Sequence, residues 1–423
     1  MKVLHITPHL GGGVGKAHAA MGGILASAAD QTFLLLEEAR DRRHLDVIAQ
    51  SGAHVATARD LHDVVDAANA ADIVQFEFWN HPRLFECLAR GDFPAMRTVF
   101  WSHISGLSRP VIQPGLVAQA GRFVFSTPAS LALPFVTMLP PGARMKVADI
   151  NSGFGFSEVR RERHSPSGKP AVAYLGTVDF AKMHPGFFDA IDGLEGNDIR
   201  VSVWGSPSEA VIERARAMRH PDRIRFGGHT SDPAAALAEA GIFFYPLQPN
   251  HYGTAENALV EAMSLGLAPV VLDNPAEAAI VRHGETGLVA HSIAECAVFL
   301  DRLLSATDLR ERISRNAALD VADKRSAQRS ARQFADLWQD LMAEPPRLAD
   351  FRSVIGACPA DWFLATQCLA GERWDCTAGG PDNAAKGTLA HFESVFPDDA
   401  SLAGLRHTPR QAASQGREHA QYG

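Results

Sequence analysis

Apolar runs of four to six residues alternate with amphipathic stretches from the first residue onward. The strand candidates of the first half are Lys2-Thr7, Thr32-Leu36, His54-Thr57, Ile73-Phe76, Thr98-Ser102, Phe123-Ser126 and Lys146-Ile150, with helical patterns at Lys16-Ala28 and Leu61-Ala70 between them. Near-continuous apolar strands separated by helices predict a parallel sheet covered on both faces. The alternation stops at Arg160-Pro170, a charged Ser/Pro/Gly-rich segment with the composition of a linker, and then restarts. Strands are predicted at Ala171-Leu175, Arg200-Trp204, Ile224-Phe226, Ile242-Pro246 and Ala268-Leu272, with helices at Pro185-Leu194, Pro207-Met218, Asp232-Ala240 and Thr254-Leu265. Three further helices follow at Ile293-Leu304, Asp308-Asp320 and Ser326-Ala343. The expected class is therefore α/β, with two Rossmann-like doubly wound domains facing a cleft and ligands at the carboxyl ends of the strands.

Composition narrows the function classes. The 423 residues allow two separate cores, and 46% hydrophobic with 21% charged residues is an ordinary globular balance. A formal net charge of -8 argues against a global nucleic-acid or anionic-membrane surface. No run approaches the roughly 20 apolar residues of a membrane span. Met1-Pro8 reads as a strand entering a loop rather than as a leader, so a cytoplasmic location is expected. The five cysteines have no tight pairing, which suits a reducing compartment. Cys358, Cys368 and Cys376 with His391 lack zinc-ligand spacing and read as small buried residues.

The stretch Tyr252-Val271 carries the most specific chemistry: a loop, a polar helix start with Thr254 as N-cap, a glycine stop at Gly266 and a buried strand. The exposed amides around Glu256 and Asn257 suit an anion, and Glu261 stands one turn further on to hold hydroxyls. This stretch resembles the donor-binding motif of the retaining GT-B glycosyltransferases of the bacterial group 1 type, the large group that includes glycogen and sucrose synthases. That family has two glutamates separated by seven residues. Glu261 fits the second; Gly253 occupies the position of the first, and the nearest acid is Glu256.

The resemblance implies transfer of a sugar from a nucleotide-diphosphate donor, UDP- or GDP-linked, to an acceptor hydroxyl with retention and without a metal or other cofactor. It assigns residues 1–160 to an acceptor-side domain and 161–325 to the nucleotide-sugar domain. Residues 326–345 form a helix crossing back, and 346–423 a C-terminal extension outside the resemblance, its last dozen residues reading as disordered. Donor-binding candidates are Gly12, Gly13, Gly205, Thr254, Asn257, Ala258 and Glu261, and catalytic candidates are His103, Lys182 and Glu256.

Each candidate also has a plainer reading. The glycine run Gly11-Gly15 opens a helix and offers amides to phosphate, or is simply a tight turn. It is neither a P-loop, since Leu10 and Ala17 stand where Gly and Ser/Thr are needed, nor a complete dinucleotide fingerprint. Lys182, on the loop after the first strand of the second domain, matches a family lysine that neutralises the leaving diphosphate, while Thr177 stands where an arginine often accompanies it. The alternative is a solvated lysine. His103, ending a strand, matches a histidine placed near the transferred sugar, or is a core histidine. Glu77, Trp79 and His81 would build an acceptor pocket, or form a capped helix start at Asn80. Gly253 and Thr177 keep open a second function, a degenerate protein that binds a sugar nucleotide or glycan without transfer. A sugar-nucleotide epimerase of the same fold is a third. The expected partners are a donor and a glycan, lipid-linked or small-molecule acceptor, with peripheral membrane association also open and no nucleic acid.

Overall fold

Two all-parallel sheets carry the chain. The computed structural model describes residues 1–39, 41–153, 171–196, 198–251, 253, 257–369, 371–372 and 387–406. The first sheet contains β1 (Lys2–Thr7), β2 (Asp30–Leu35), β3 (His54–Thr57), β4 (Ile73–Phe78), β5 (Thr98–Ser102), β6 (Arg122–Phe125) and β7 (Val147–Asp149), in the order β3-β2-β1-β4-β5-β6-β7. The second contains β8 (Ala171–Leu175), β9 (Val201–Trp204), β10 (Ile224–Gly228), β11 (Ala240–Tyr245), β12 (Ala268–Leu272) and β13 (Leu288–Ala290), in the order β10-β9-β8-β11-β12-β13. Both reverse direction beside their first strand, the doubly wound arrangement that opens a crevice at the strand carboxyl ends.

Burial explains why the strands read so clearly: all residues of β4, β5 and β12 are buried, as a sheet covered on both faces requires. Differences from the expected elements lie at ends and in short elements that the pattern does not announce, among them helices Arg43–Gln50 and Pro114–Gln119, the three-residue strand β13 and the helices of the extension. The first helix spans Gly12–Leu25, so the glycines form its first turn rather than a loop before it. A Cβ on Gly15 would fall 1.7 Å from the Leu10 carbonyl oxygen, which is why that turn takes no side chain there.

Helix Ala327–Met342 returns to the first domain. Its Phe334 ring lies 4.7 Å from Trp101, and Trp338 Nε1 donates to Gln75 Oε1 at 3.0 Å. The extension then wraps the first domain: Phe351, Ile355, Trp362, Phe363 and Phe392 join the core cluster that holds Leu84 and Leu88 of helix Pro82–Arg90. Cys358 and Cys368 are only partly buried, contrary to expectation, and Cys358 Sγ donates to Asp361 at 3.2 Å at the start of helix Pro359–Gln367. Cys376 and the C-terminal dozen lie outside the described residues. Among the described residues no helix is long and apolar enough to cross a membrane.

Candidate active site

The loops at the strand carboxyl ends of the two sheets meet across the cleft. Ser108 Oγ, beyond β5, donates to the His251 carbonyl beyond β11 at 2.8 Å. A Cβ on Gly13 would lie 3.3 Å from Asn257 Nδ2, so the first turn of helix Gly12–Leu25 abuts the start of helix Asn257–Ser264. Lys16 Nζ, in the first of these helices, pairs with Glu261 Oε1 in the second. Gly12 has φ of 65° and an open Cβ direction, so the chain turns here with room beside it.

Glu261 points into this junction from an otherwise apolar helix whose Leu259, Val260, Ala262 and Met263 enter the core. Its side chain is 5% exposed; burial pushes the carboxyl above its ordinary pKa, and Lys16 opposes that rise. Asn257 begins the described part of the helix, and Ala258 packs partly buried against the core. Thr254 and Glu256 lie outside the described residues. Lys182 projects at the end of the second sheet with its ammonium 5.5 Å from the Tyr245 ring centroid. At Gly205 a Cβ would come within 2.1 Å of the Gly176 carbonyl oxygen, and φ is 136°. The Cβ direction of this glycine is thus filled by the chain's own backbone, so the tight approach of the Gly176 strand end requires glycine here.

His251 was missed by sequence reasoning. Its Nδ1 accepts the Gly253 N–H at 2.9 Å, and its Nε2 lies 2.9 Å from the fully buried Glu277 Oε1. Together they fix the backbone at the position where the resemblance led one to look for an acid. The only available signal was His251 two residues before Gly253, with no periodic pattern around it.

Glu77 does not line an acceptor pocket. It is fully buried at the centre of a polar network: Oε1 lies 3.0 Å from each of His5 Nδ1, His18 Nε2 and Gln75 Nε2, and Oε2 lies 2.8 Å from His103 Nε2. Burial works to raise the Glu77 carboxyl. The electrostatic interaction with His18 and bonds from His103, His18 and His5 outweigh it and hold the carboxyl well below the usual range. Burial pushes His5 and His103 below the ordinary imidazole value. Both rings are neutral at pH 7, and because an ionised carboxylate only accepts, the His103 Nε2 carries its proton. His103 therefore stands at the end of β5 with one nitrogen committed to Glu77.

Trp79 and His81 do come together, stacked at 5.7 Å, and His9 meets Trp79 edge-on at 4.8 Å. His81, rather than Asn80, caps helix Pro82–Arg90, its Nδ1 accepting from the Arg83 N–H at 3.2 Å. His9, Glu37 and His81 place one ligand-type atom each within 4.8 Å of one another, as do His5, His18 and Glu77. In the first group, Nδ1 of His9 accepts the Gly11 N–H, as that of His81 accepts from Arg83. With Nδ1 so engaged, each ring turns Nε2 towards Glu37, at 4.0 and 3.6 Å. This is a set of N–H donors around a carboxylate, whereas a cation needs those lone pairs free.

His391 of the extension joins edge-on to His81 at 4.8 Å, its Nδ1 accepting the Gly387 N–H. Beside this group opens a cavity of about 760 Å³ lined by Glu37, Arg59, Asp60, Arg83, Glu86 and, from the extension, Ser394.

Residues 156–320 match the family described as glycosyl transferases group 1. An alpha-D-kanosaminyltransferase of Streptomyces kanamyceticus is 27% identical over 193 residues, 43% of this chain and 48% of that protein. The match thus spans about half the length of that relative. A glycosyltransferase structure from Rickettsia africae superposes with a TM-score of 0.66 at 12% identity, over 81% of this chain and 98% of that one. The structure of Anabaena Alr3699/HepE in complex with UDP and glucose superposes at 0.64 and 15% identity, over 80% of this chain and all of that one. At these identities the two structures show a shared fold.

Proposed function

We propose that this chain, whose residues 156–320 match the group 1 glycosyltransferases and whose two domains have the GT-B fold, moves a sugar from a nucleotide-diphosphate donor to an acceptor hydroxyl with retention. The observation that carries the reading is the junction of two helix starts around the buried Glu261. In this reading Glu261 accepts hydrogen bonds from the ribose hydroxyls, and the diphosphate rests against Gly12-Gly13 and Asn257, where first-turn amides and helix dipoles favour an anion. Lys182 neutralises the charge that grows on the departing phosphate, so no cation is needed for that task. The acceptor enters on the same face as the leaving group, from the side of the first domain, and the departing phosphate takes its proton.

His103, held by Glu77, borders the reacting centre, and the cavity beside Trp79 and His81 receives the acceptor. A UDP-linked donor is favoured over a GDP-linked one by the Anabaena structure, which holds UDP. A second reading, donor binding without transfer, is favoured by Gly253, whose N–H is held by His251 where an acid was sought.

Thermal-shift titration with a panel of UDP- and GDP-sugars identifies the donor, since a ligand of the folded state raises the apparent Tm. Incubation of the donor that binds with candidate acceptors then separates the readings. Nucleoside diphosphate release with a new glycoside of retained anomeric configuration supports transfer. Binding with no turnover supports the second reading, and donor interconversion without acceptor identifies an epimerase.

A further inference from the structure

We infer that Lys16 is a donor-binding residue that exchanges Glu261 for the donor diphosphate when the nucleotide enters, a step resting on the reading above. Lys16 and Glu261 belong to different domains, and their pair joins the first helix of one to the site helix of the other. The exposures are unequal: 5% for the Glu261 side chain and 34% for Lys16. A buried carboxylate is costly without a countercharge. Lys16 supplies that countercharge here and is the cation that works against the burial of Glu261.

A ribose diol that takes over Glu261 brings two hydroxyl donors but no charge, and it displaces the ammonium. The displaced Lys16 is left one turn into a helix whose Gly13 lies against Asn257, between two helix starts. The diphosphate attached to that ribose is the anion able to receive it, as a point charge needing no fixed geometry. One lysine thus closes the empty cleft through Glu261 and the occupied cleft through phosphate. Nucleoside alone must break the pair with no charge in return, while nucleoside diphosphate replaces it.

Calorimetric titrations with UDP, uridine and inorganic pyrophosphate test this, with GDP and guanosine in parallel. For wild-type protein the diphosphate should bind at least a hundredfold more tightly than the nucleoside. Lys16→Met should cut that ratio at least tenfold, by weakening the diphosphate while leaving or improving the nucleoside, and Lys16→Arg should retain it. Glu261→Gln, which removes the carboxylate that Lys16 pairs with, should bind pyrophosphate at least threefold more tightly than wild type, and adding Lys16→Met should abolish the gain. An unchanged ratio in Lys16→Met, or no pyrophosphate gain in Glu261→Gln, overturns the inference. Melting curves establish that each variant is folded, and Lys16→Arg together with the pyrophosphate arm decides the matter should Lys16→Met not fold. If wild type binds neither nucleotide, the donor reading itself fails, while the pyrophosphate arm still reports on the exchange.

Discussion

Removing the Glu77 carboxylate tests the account of the first domain most severely, because four nitrogen groups converge on it. His5, His18 and Gln75 face one oxygen at 3.0 Å and His103 the other at 2.8 Å, all around a fully buried position. Glu77→Ala leaves these groups facing an apolar gap. An orphaned buried donor costs about 1–3 kcal/mol, and breaking a buried charge network by deleting one member costs about 3–5 kcal/mol. Relaxation prevents simple addition, so about 4 kcal/mol of first-domain stability should be lost.

Glu77→Gln keeps one acceptor oxygen and turns the other into an amide. Placed with its oxygen towards His5, His18 and Gln75, its NH2 faces His103, which can respond by moving its proton to Nδ1. The expected loss is about 1–3 kcal/mol, the cost of one poorly met buried group. Urea unfolding followed by tryptophan fluorescence reads the relevant domain, since Trp101 and Trp338 are buried next to this network. Imidazole nitrogen NMR reads the tautomer of His103. Losses below about 1 kcal/mol in both variants, with an unchanged denaturant slope, would refute the assignment of Glu77 as the hub.

The remaining predictions concern charge, pH and the extension. Lys182→Met should lower kcat about a hundredfold with little change in Tm, since stabilisation of a developing anion is worth that much in comparable sites; unchanged turnover would remove Lys182 from the reaction. Stability should fall as the pH drops from 7.5 to 5.5, measured by calorimetry at fixed ionic strength. The folded pKa values of His5 and His103 are depressed, so only the unfolded chain takes up their protons as pH passes below about 6.5. Each contributes a slope of up to about 1.4 kcal/mol per pH unit until its folded form also titrates, and the depressed Glu77 carboxyl adds the same sign at lower pH. A flat profile over that range contradicts neutral buried rings. Trp362→Ala should cost about 3–5 kcal/mol, because this fully buried ring packs 5.6 Å from Phe396, carries Arg90 at 5.0 Å over its face and donates to the Gly356 carbonyl. A change under 1 kcal/mol would mean that the extension is not part of the first domain's core.

The two-domain layout was legible because parallel strands buried on both faces leave long apolar runs, such as Ala268–Leu272, whose limits the structure reproduces. β13 escaped notice because three residues carry no periodicity. The extension escaped because its short helices are held by scattered aromatics such as Trp362 and Phe392 packing on a distant helix, a pairing with no local signature. On the site, Glu261 was a candidate from its place one turn into a helix, and the structure sets its buried side chain against Lys16 of the first domain; the strand-end argument was applied to Glu77. It failed for Glu77: period-two alternation does not mark the buried face in a sheet covered on both sides, and three histidines distant in sequence make burial of that carboxylate tolerable. The pattern marks Lys16 only as the start of a helical stretch, since its partner is separated from it by 245 residues.

The most direct test of the central claim is product analysis of purified protein with the nucleotide-diphosphate sugar it binds and a panel of hydroxyl acceptors, comparing wild type with Glu261→Gln. Wild type should release nucleoside diphosphate in step with formation of a glycoside of retained configuration, and Glu261→Gln should raise the donor KM at least tenfold, about 1.4 kcal/mol of lost donor contact. Failure of wild type to bind or turn over any nucleotide sugar, or a Glu261→Gln variant with unaltered donor KM, would contradict the account.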